Sequence, residues 1–246
     1  MSGFYADLLL RAPLGRRMFR RVMRLPRSPL AVIFDMDGVL FDTETLYEQA
    51  ALSGARELGF EMTQAFFRST IGSPWSVNRA RLLEEYGHDL AVDRLNATAD
   101  RIFRSLADSR SLLKPGVLEL LDLLDELGLP RAIATSSSRP TVERHLQAHG
   151  LAGRFHGIVA HGDYERHKPD PEPYLKAAVA LSVAPSVCLA LEDSHHGVRS
   201  ASAAGMMTVM VPDLLPATDE ICALCLHVAP DLHAVHRLIV ASRQAG

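Results

Sequence analysis

Lysine is nearly absent from this 246-residue chain, which has three, and so are cysteine, also three, and tryptophan, one. Cys188, Cys222 and Cys225 are too few and too unevenly placed for a disulfide framework, so a reducing compartment, cytoplasmic by default, is expected. No apolar run approaches the roughly 20 residues that cross a bilayer, and charges interrupt every hydrophobic segment, which argues against stable membrane insertion. Internal repeats and low-complexity tracts are also missing. The formal net charge is only -3, yet residues 1–30 hold seven Arg and one acidic residue. The body of the chain is therefore distinctly acidic. Such a body repels phosphate backbones, so no nucleic-acid partner is expected. Within the basic extension, Leu14, Met18, Val22 and Leu25 stand at helical spacing among Arg16, Arg17, Arg20, Arg21 and Arg24. An amphipathic helix that touches a membrane is one reading of this pattern; a loosely packed leader is the plainer one.

What is present is enough apolar material, 48% of the chain, to bury one full core and still carry a smaller second unit. From residue 31 short apolar runs alternate with helical patterns, the signature of an α/β fold with a parallel sheet and crossover helices. Ala31–Phe34, Arg131–Ala134, Gly157–Ala160, Val187–Leu191 and Met207–Val211 read as strands. The stretch between the first two is too long for a simple crossover and shows helical periodicity over Leu46–Leu58, Val77–Tyr86 and Ala91–Leu106. The expected organisation is a basic extension over 1–30, a catalytic core over 31–45 and 113–246, and a helical cap inserted over 46–112. Lys114-Pro115-Gly116 forms the return hinge.

Ligands of open α/β sheets bind beyond the carboxyl ends of the strands. Those positions are chemically coherent in this chain. Asp35-Met36-Asp37-Gly38 follows the first strand, Thr135-Ser136-Ser137 the second, Lys168-Pro169-Asp170-Pro171 comes later, and Glu192-Asp193-Ser194 follows the fourth. Phosphoryl transfer needs a nucleophile, a cation, donors for the phosphate oxygens and a proton donor for the leaving group. Asp35 is the candidate nucleophile, and Mg²⁺ suits the oxygen ligands offered by Asp35, the Asp37 carbonyl, Asp193 and Glu192. Gly38 permits a turn that brings Asp37 to the leaving group as general acid and base. Thr135, with Ser136 beside it, can hold phosphate oxygens, while Lys168 offsets their charge.

Other residues are weighed against plainer roles. Glu44 and Asp42 can cap the helix that enters the insert, and Glu44 can instead touch substrate. Trp75 can stack on a sugar or base, or serve the core. Cys222 and Cys225 with His227 lack a second cysteine pair and are expected to be buried or half-buried thiols rather than a zinc site. His195 and His196 are expected to line the entrance rather than bind a metal, and His145 and His149 to form an exposed pair on one helix face.

These four motifs, in this order, resemble the haloacid dehalogenase superfamily, and the likeness covers residues 31 to about 240. It implies a Rossmann-like core with an inserted helical cap, Asp35 as nucleophile, Asp37 as acid and base, Thr135 and Lys168 on phosphate, and Asp193 on Mg²⁺. Phe34-Asp35-Met36-Asp37-Gly38, Thr43-Glu44-Thr45-Leu46-Tyr47 and Ala203-Ala204-Gly205-Met206 through Val211-Pro212-Asp213 are similar to the subgroup of beta-phosphoglucomutase and the sugar-phosphate and nucleoside-phosphate phosphatases, including pseudouridine-5'-phosphatase-like members. The mutases carry His where this chain has Tyr47, and Arg on the cap loop where Ile71-Gly72-Ser73-Pro74 leads into Trp75. The expected function is therefore Mg²⁺-dependent hydrolysis of a small phosphorylated metabolite through an aspartyl-phosphate. A phosphohexomutase and a non-catalytic binding protein are the alternatives. Carbon-halogen displacement would leave Asp37 and Asp193 without a task.

Overall fold

The computed structural model describes residues 24–73, 75–107 and 112–244. Most of the basic extension, with Leu14, Met18 and Val22, lies outside them; Leu25 is buried in the core. Among the described residues six strands form one sheet: β1 (Ala31–Phe34), β2 (Arg131–Ser138), β3 (Gly157–His161), β4 (Cys188–Glu192), β5 (Met207–Met210) and β6 (His227–Val228). Their order is β3-β2-β1-β4-β5-β6, and every pair is parallel. This is a Rossmann-like α/β fold. The winding reverses between β1 and β4, which opens a crevice at their carboxyl ends.

Strands covered on both faces are apolar throughout rather than alternating, and β1 and β4 are buried at every residue. Successive side chains still point to opposite faces. Val32 and Phe34 pack with Leu120 and Leu124 of α5 (Val117–Glu126) and with Leu238 and Ile239 of α10 (Leu232–Arg243). Ala31 and Ile33 pack on the other face with Tyr174 and Ala177 of α7 (Glu172–Ala180) and Ala201 of α8 (His195–Ala203). Two further helices flank the sheet, α6 (Arg139–Ala148) and α9 (Asp219–Leu224).

Between β1 and β2 lie α1 (Thr43–Glu57), α2 (Gln64–Thr70), α3 (Trp75–Tyr86) and α4 (Val92–Ala107). They enclose a small cluster of their own around Ala55, Met62, Leu82, Val92 and Leu95. Val92, Leu95, Ala99 and Phe103 form the buried face of α4, at the spacing of a single helical stripe. The chain leaves and re-enters the sheet layer side by side, as Asp42 N donates to Leu112 O at 2.7 Å and Lys114 N to Leu40 O at 3.0 Å. No helix among the described residues is long and apolar enough to cross a membrane.

The differences from the sequence reading have local causes. β2 continues to Ser138, past Ala134, because a bulge lets polar residues stay in pairing with β3. α2 was not foreseen, although Thr63 accepts a hydrogen bond from Phe66 N as its N-cap. β6 is a two-residue edge strand, too short to leave a pattern. α1 begins at Thr43, and Asp42 at its N-cap makes no side-chain cap bond. Cys222 is exposed rather than buried, while Cys225 is half-buried and Cys188 buried. His145 is buried, not exposed, with its ring 5.2 Å from that of Phe41. His149 Nδ1 donates to His145 O at 2.9 Å, so its Nε2 is free to accept from Leu112 N at 3.1 Å.

Candidate active site

Asp35 stands directly after β1 and is 7% exposed. The chain then turns tightly, with Gly38 N donating to Phe41 O and Phe41 N to Met36 O. Gly38 has φ +80°, and a Cβ there would lie 2.2 Å from Asp193 Oδ2. Glycine is therefore required twice over, for the left-handed turn and for the approach of Asp193. The turn sets Asp37 beside two hydroxyls. Its Oδ1 accepts from Thr43 Oγ1 at 2.5 Å and its Oδ2 from Ser137 Oγ at 2.7 Å.

Lys168 is buried under this layer. Its ammonium donates to Asp35 Oδ1 at 2.5 Å, Glu192 Oε1 at 2.5 Å and Ala134 O at 3.0 Å, which uses all three protons. Glu192, fully buried, also accepts from Tyr174 Oη at 2.7 Å on Oε1. Its Oε2 takes Asp193 N, Ser194 N and Ser194 Oγ at 3.1–3.3 Å. A Cβ at Gly197 would fall 1.9 Å from this carboxylate, so α8 can start this close to Glu192 only with glycine there.

Burial pushes the Asp35 carboxyl up to about 8, against the pull of Lys168 and with the help of Glu192 and Asp37. Burial works against the Lys168 charge, but Asp35 and Glu192 outweigh it and hold its pKa above the ordinary lysine value. Asp193 and Glu44 are both raised, first by burial and then by the carboxylates around them. The site crowds carboxyl groups in a dry place, where a bound cation would favour their ionised form.

The residues present fit a hard divalent ion. Carboxylate oxygens of Asp35, Glu192 and Asp193 lie within 4.8 Å of one another, as do those of Glu44, Asp193 and Asp213. Glu44 Oε2 and Asp213 Oδ2 are buried without a hydrogen-bond partner, and an all-oxygen donor set suits Mg²⁺.

A cavity of about 450 Å³ opens over this floor, between the strand ends and helices α1–α4. Asp35, Asp37, Thr135, Ser136, Lys168 and Asp193 line it from the sheet side; Glu44, Tyr47 and Trp75 line it from the helices. Glu192 does not line it. Trp75 is 47% exposed and serves no core. Tyr47 donates to Asp100 Oδ1 at 3.0 Å and stacks on Phe103 at 4.3 Å. Thr135 is buried, and its Oγ1 accepts from Ser137 N at 3.0 Å. His195 and His196, expected at the entrance, do not line the cavity; His195 Nε2 instead lies 2.9 Å from Pro216 O.

The sequence reading missed Thr43, Ser137, Tyr174 and Asp213. Thr43 and Ser137 stand within motifs already singled out but were given no role, and only the turn at Gly38 pairs them with Asp37. Asp213 ends a stretch already quoted, Val211-Pro212-Asp213, without a role given to it, and Tyr174 is held at the site by tertiary packing that leaves no local signal.

A model of the haloacid dehalogenase-like hydrolases matches residues 32–211, and the chain belongs to that family. It is 35% identical to the putative phosphatase YhcW of Bacillus subtilis, over 76% of this chain and 86% of that one. It is 32% identical to hexitol phosphatase B of Escherichia coli, over 77% and 86%. Among solved structures, CbbY from Rhodobacter sphaeroides, determined in complex with phosphate, superposes with a TM-score of 0.71 at 26% identity, covering 83% of this chain and 95% of that one.

Proposed function

We propose that this chain is a Mg²⁺-dependent phosphatase that hydrolyses a small phosphorylated sugar or nucleoside through an aspartyl-phosphate on Asp35. The observation that carries this reading is the placement of Asp35, Asp37, Lys168 and Asp193 around one cavity, each held for a different task. The names of the relatives, a phosphatase and a hexitol phosphatase, support the substrate class.

Lys168 fixes Asp35 through Oδ1 and leaves Oδ2 for attack on phosphorus. As the P–O ester bond breaks, Asp37 gives its proton to the departing oxygen, oriented by Thr43 and Ser137. Asp37, now a carboxylate, takes a proton from water. That water's oxygen then attacks the phosphorus, releasing inorganic phosphate and restoring Asp35. Thr135 and Ser136 supply donors to the phosphoryl oxygens at the strand end. Asp35, the Asp37 carbonyl and Asp193 would hold Mg²⁺, which neutralises phosphoryl charge when bound. We assign Glu192 to holding Lys168 rather than to direct ligation, because both its oxygens already accept hydrogen bonds.

In this reading residues 46–112 act as a cap over a core of 31–45 and 113–246. The free thiols among the described residues accord with a cytoplasmic setting. A phosphohexomutase is not favoured, because Tyr47 is committed to Asp100 and Phe103 at the place where mutases carry His. Phosphate release from a panel of sugar and nucleoside monophosphates, with and without chelator, tests the proposal. Activity undiminished in EDTA would overturn it.

A further inference from the structure

The charge of the cavity wall bears on which phosphate esters fit. Among the described residues that line the cavity, Lys168 is the only cation, and it is 5% exposed with its three protons spent on Asp35, Glu192 and Ala134 O. Four carboxylates, Asp35, Asp37, Glu44 and Asp193, share that cavity. The cations nearby are engaged elsewhere: Arg68 pairs with Glu48, Arg81 donates to Ser69, and Lys114 pairs with Asp213. Arg144, on α6, is exposed and outside the lining.

Apart from Glu44, the helical wall is apolar or uncharged. Phe66, Phe67, Leu82, Leu95 and Trp75 contribute to it. Its polar members include Asn78, whose Nδ2 donates to Thr70 O at 3.1 Å and Ser73 O at 3.2 Å. Two carbonyl partners fix the amide orientation, and they leave Asn78 Oδ1 buried without a partner.

We propose that the cavity selects phosphate monoesters whose leaving group is uncharged and carries a flat apolar face, as a nucleoside does, and rejects substrates with a second phosphate. Recognition of a second phosphate needs a guanidinium, an ammonium or an aimed row of N–H groups. Among the described lining residues there is no guanidinium, and the one ammonium, Lys168, is already spent. Trp75, which lines the cavity and is 47% exposed, is the platform for the leaving group. This inference rests on the phosphatase reading and narrows it.

The test compares kcat/KM for uridine 5'-monophosphate, fructose 6-phosphate and fructose 1,6-bisphosphate at saturating Mg²⁺, with p-nitrophenyl phosphate as a generic ester. The two fructose esters share a sugar and differ in the second phosphate. A second phosphate that finds no cation on the wall to pair with predicts that the bisphosphate is the poorer of the two by about 100-fold. Trp75→Ala should raise KM for the nucleotide about tenfold with kcat little changed, as loss of a stacked base does. Ser73→Arg, which adds a cation to the wall, should narrow the gap between the fructose esters. Hydrolysis of the bisphosphate as fast as the monophosphate would overturn the selectivity while leaving the phosphatase reading intact. An unchanged nucleotide KM in Trp75→Ala would overturn the stacking platform. If p-nitrophenyl phosphate is hydrolysed equally by Asp35→Asn, the phosphatase reading itself fails, and this inference with it.

Discussion

The Lys168 ammonium lies 2.5 Å from Asp35 Oδ1 and, through a second proton, 2.5 Å from Glu192 Oε1. One buried cation therefore binds the carboxylate at the end of β1 to the carboxylate at the end of β4. The two central strands meet in a charge network at the point where the winding of the sheet reverses.

Removing that cation should damage the fold as well as the chemistry. Lys168→Met leaves two carboxylates buried without a counter-charge, a loss of about 3–5 kcal/mol in comparable buried pairs. Urea unfolding should register this as a lower midpoint, and phosphate release should fall to background. A variant as stable as the parent would show that the network does not hold the strands together.

Gly38 offers a separate test of how Asp193 is placed. Gly38→Ala puts a methyl group 2.2 Å from Asp193 Oδ2 and adds about 1 kcal/mol or more for the left-handed conformation. The expected outcome is a folded protein that binds Mg²⁺ far more weakly, read by calorimetric titration. Unchanged affinity would remove Asp193 from the metal site.

Thr43 and Ser137 hold Asp37 and are positioning residues. Thr43→Val and Ser137→Ala should each lower kcat about tenfold with KM nearly constant, since the loss falls on proton transfer. A shift of the pH profile should accompany it. A change confined to KM would place both residues on substrate binding instead.

His145 gives the protein a pH dependence of stability. Burial holds its pKa below the ordinary 6.5, aided by Arg144 and His149 and opposed by Asp37. Below 6.5 the unfolded chain therefore binds a proton that the folded one does not, so stability declines as the pH falls through this region. Thermal melts between pH 7 and 5 should show a decline that is smaller in His145→Gln, compared as the slope of Tm against pH. Equal slopes would contradict the assignment.

Much of the architecture was legible because β1 and the first four residues of β4, covered on both faces, are continuous apolar runs, and because chemistry collects at their carboxyl ends. Lys168 was legible through the scarcity of lysine. Its bond to Glu192 was not, since that carboxylate is shaped by Gly197 and Tyr174, residues with no role in any motif. His145 misled because its spacing with His149 describes a helix face without saying what covers it; Phe41, at the far side of the Gly38 turn, does. Trp75 offered no preference between core and cavity until α2 and α3 had been placed.

The most direct test of the central claim is mass analysis of the protein quenched during turnover of a phosphate monoester in Mg²⁺. The account predicts one acid-stable, hydroxylamine-labile phosphoryl group on the peptide containing Asp35, absent in EDTA and absent in Asp35→Asn. Full hydrolysis by Asp35→Asn, or a phosphoryl group carried by any other residue, would contradict it.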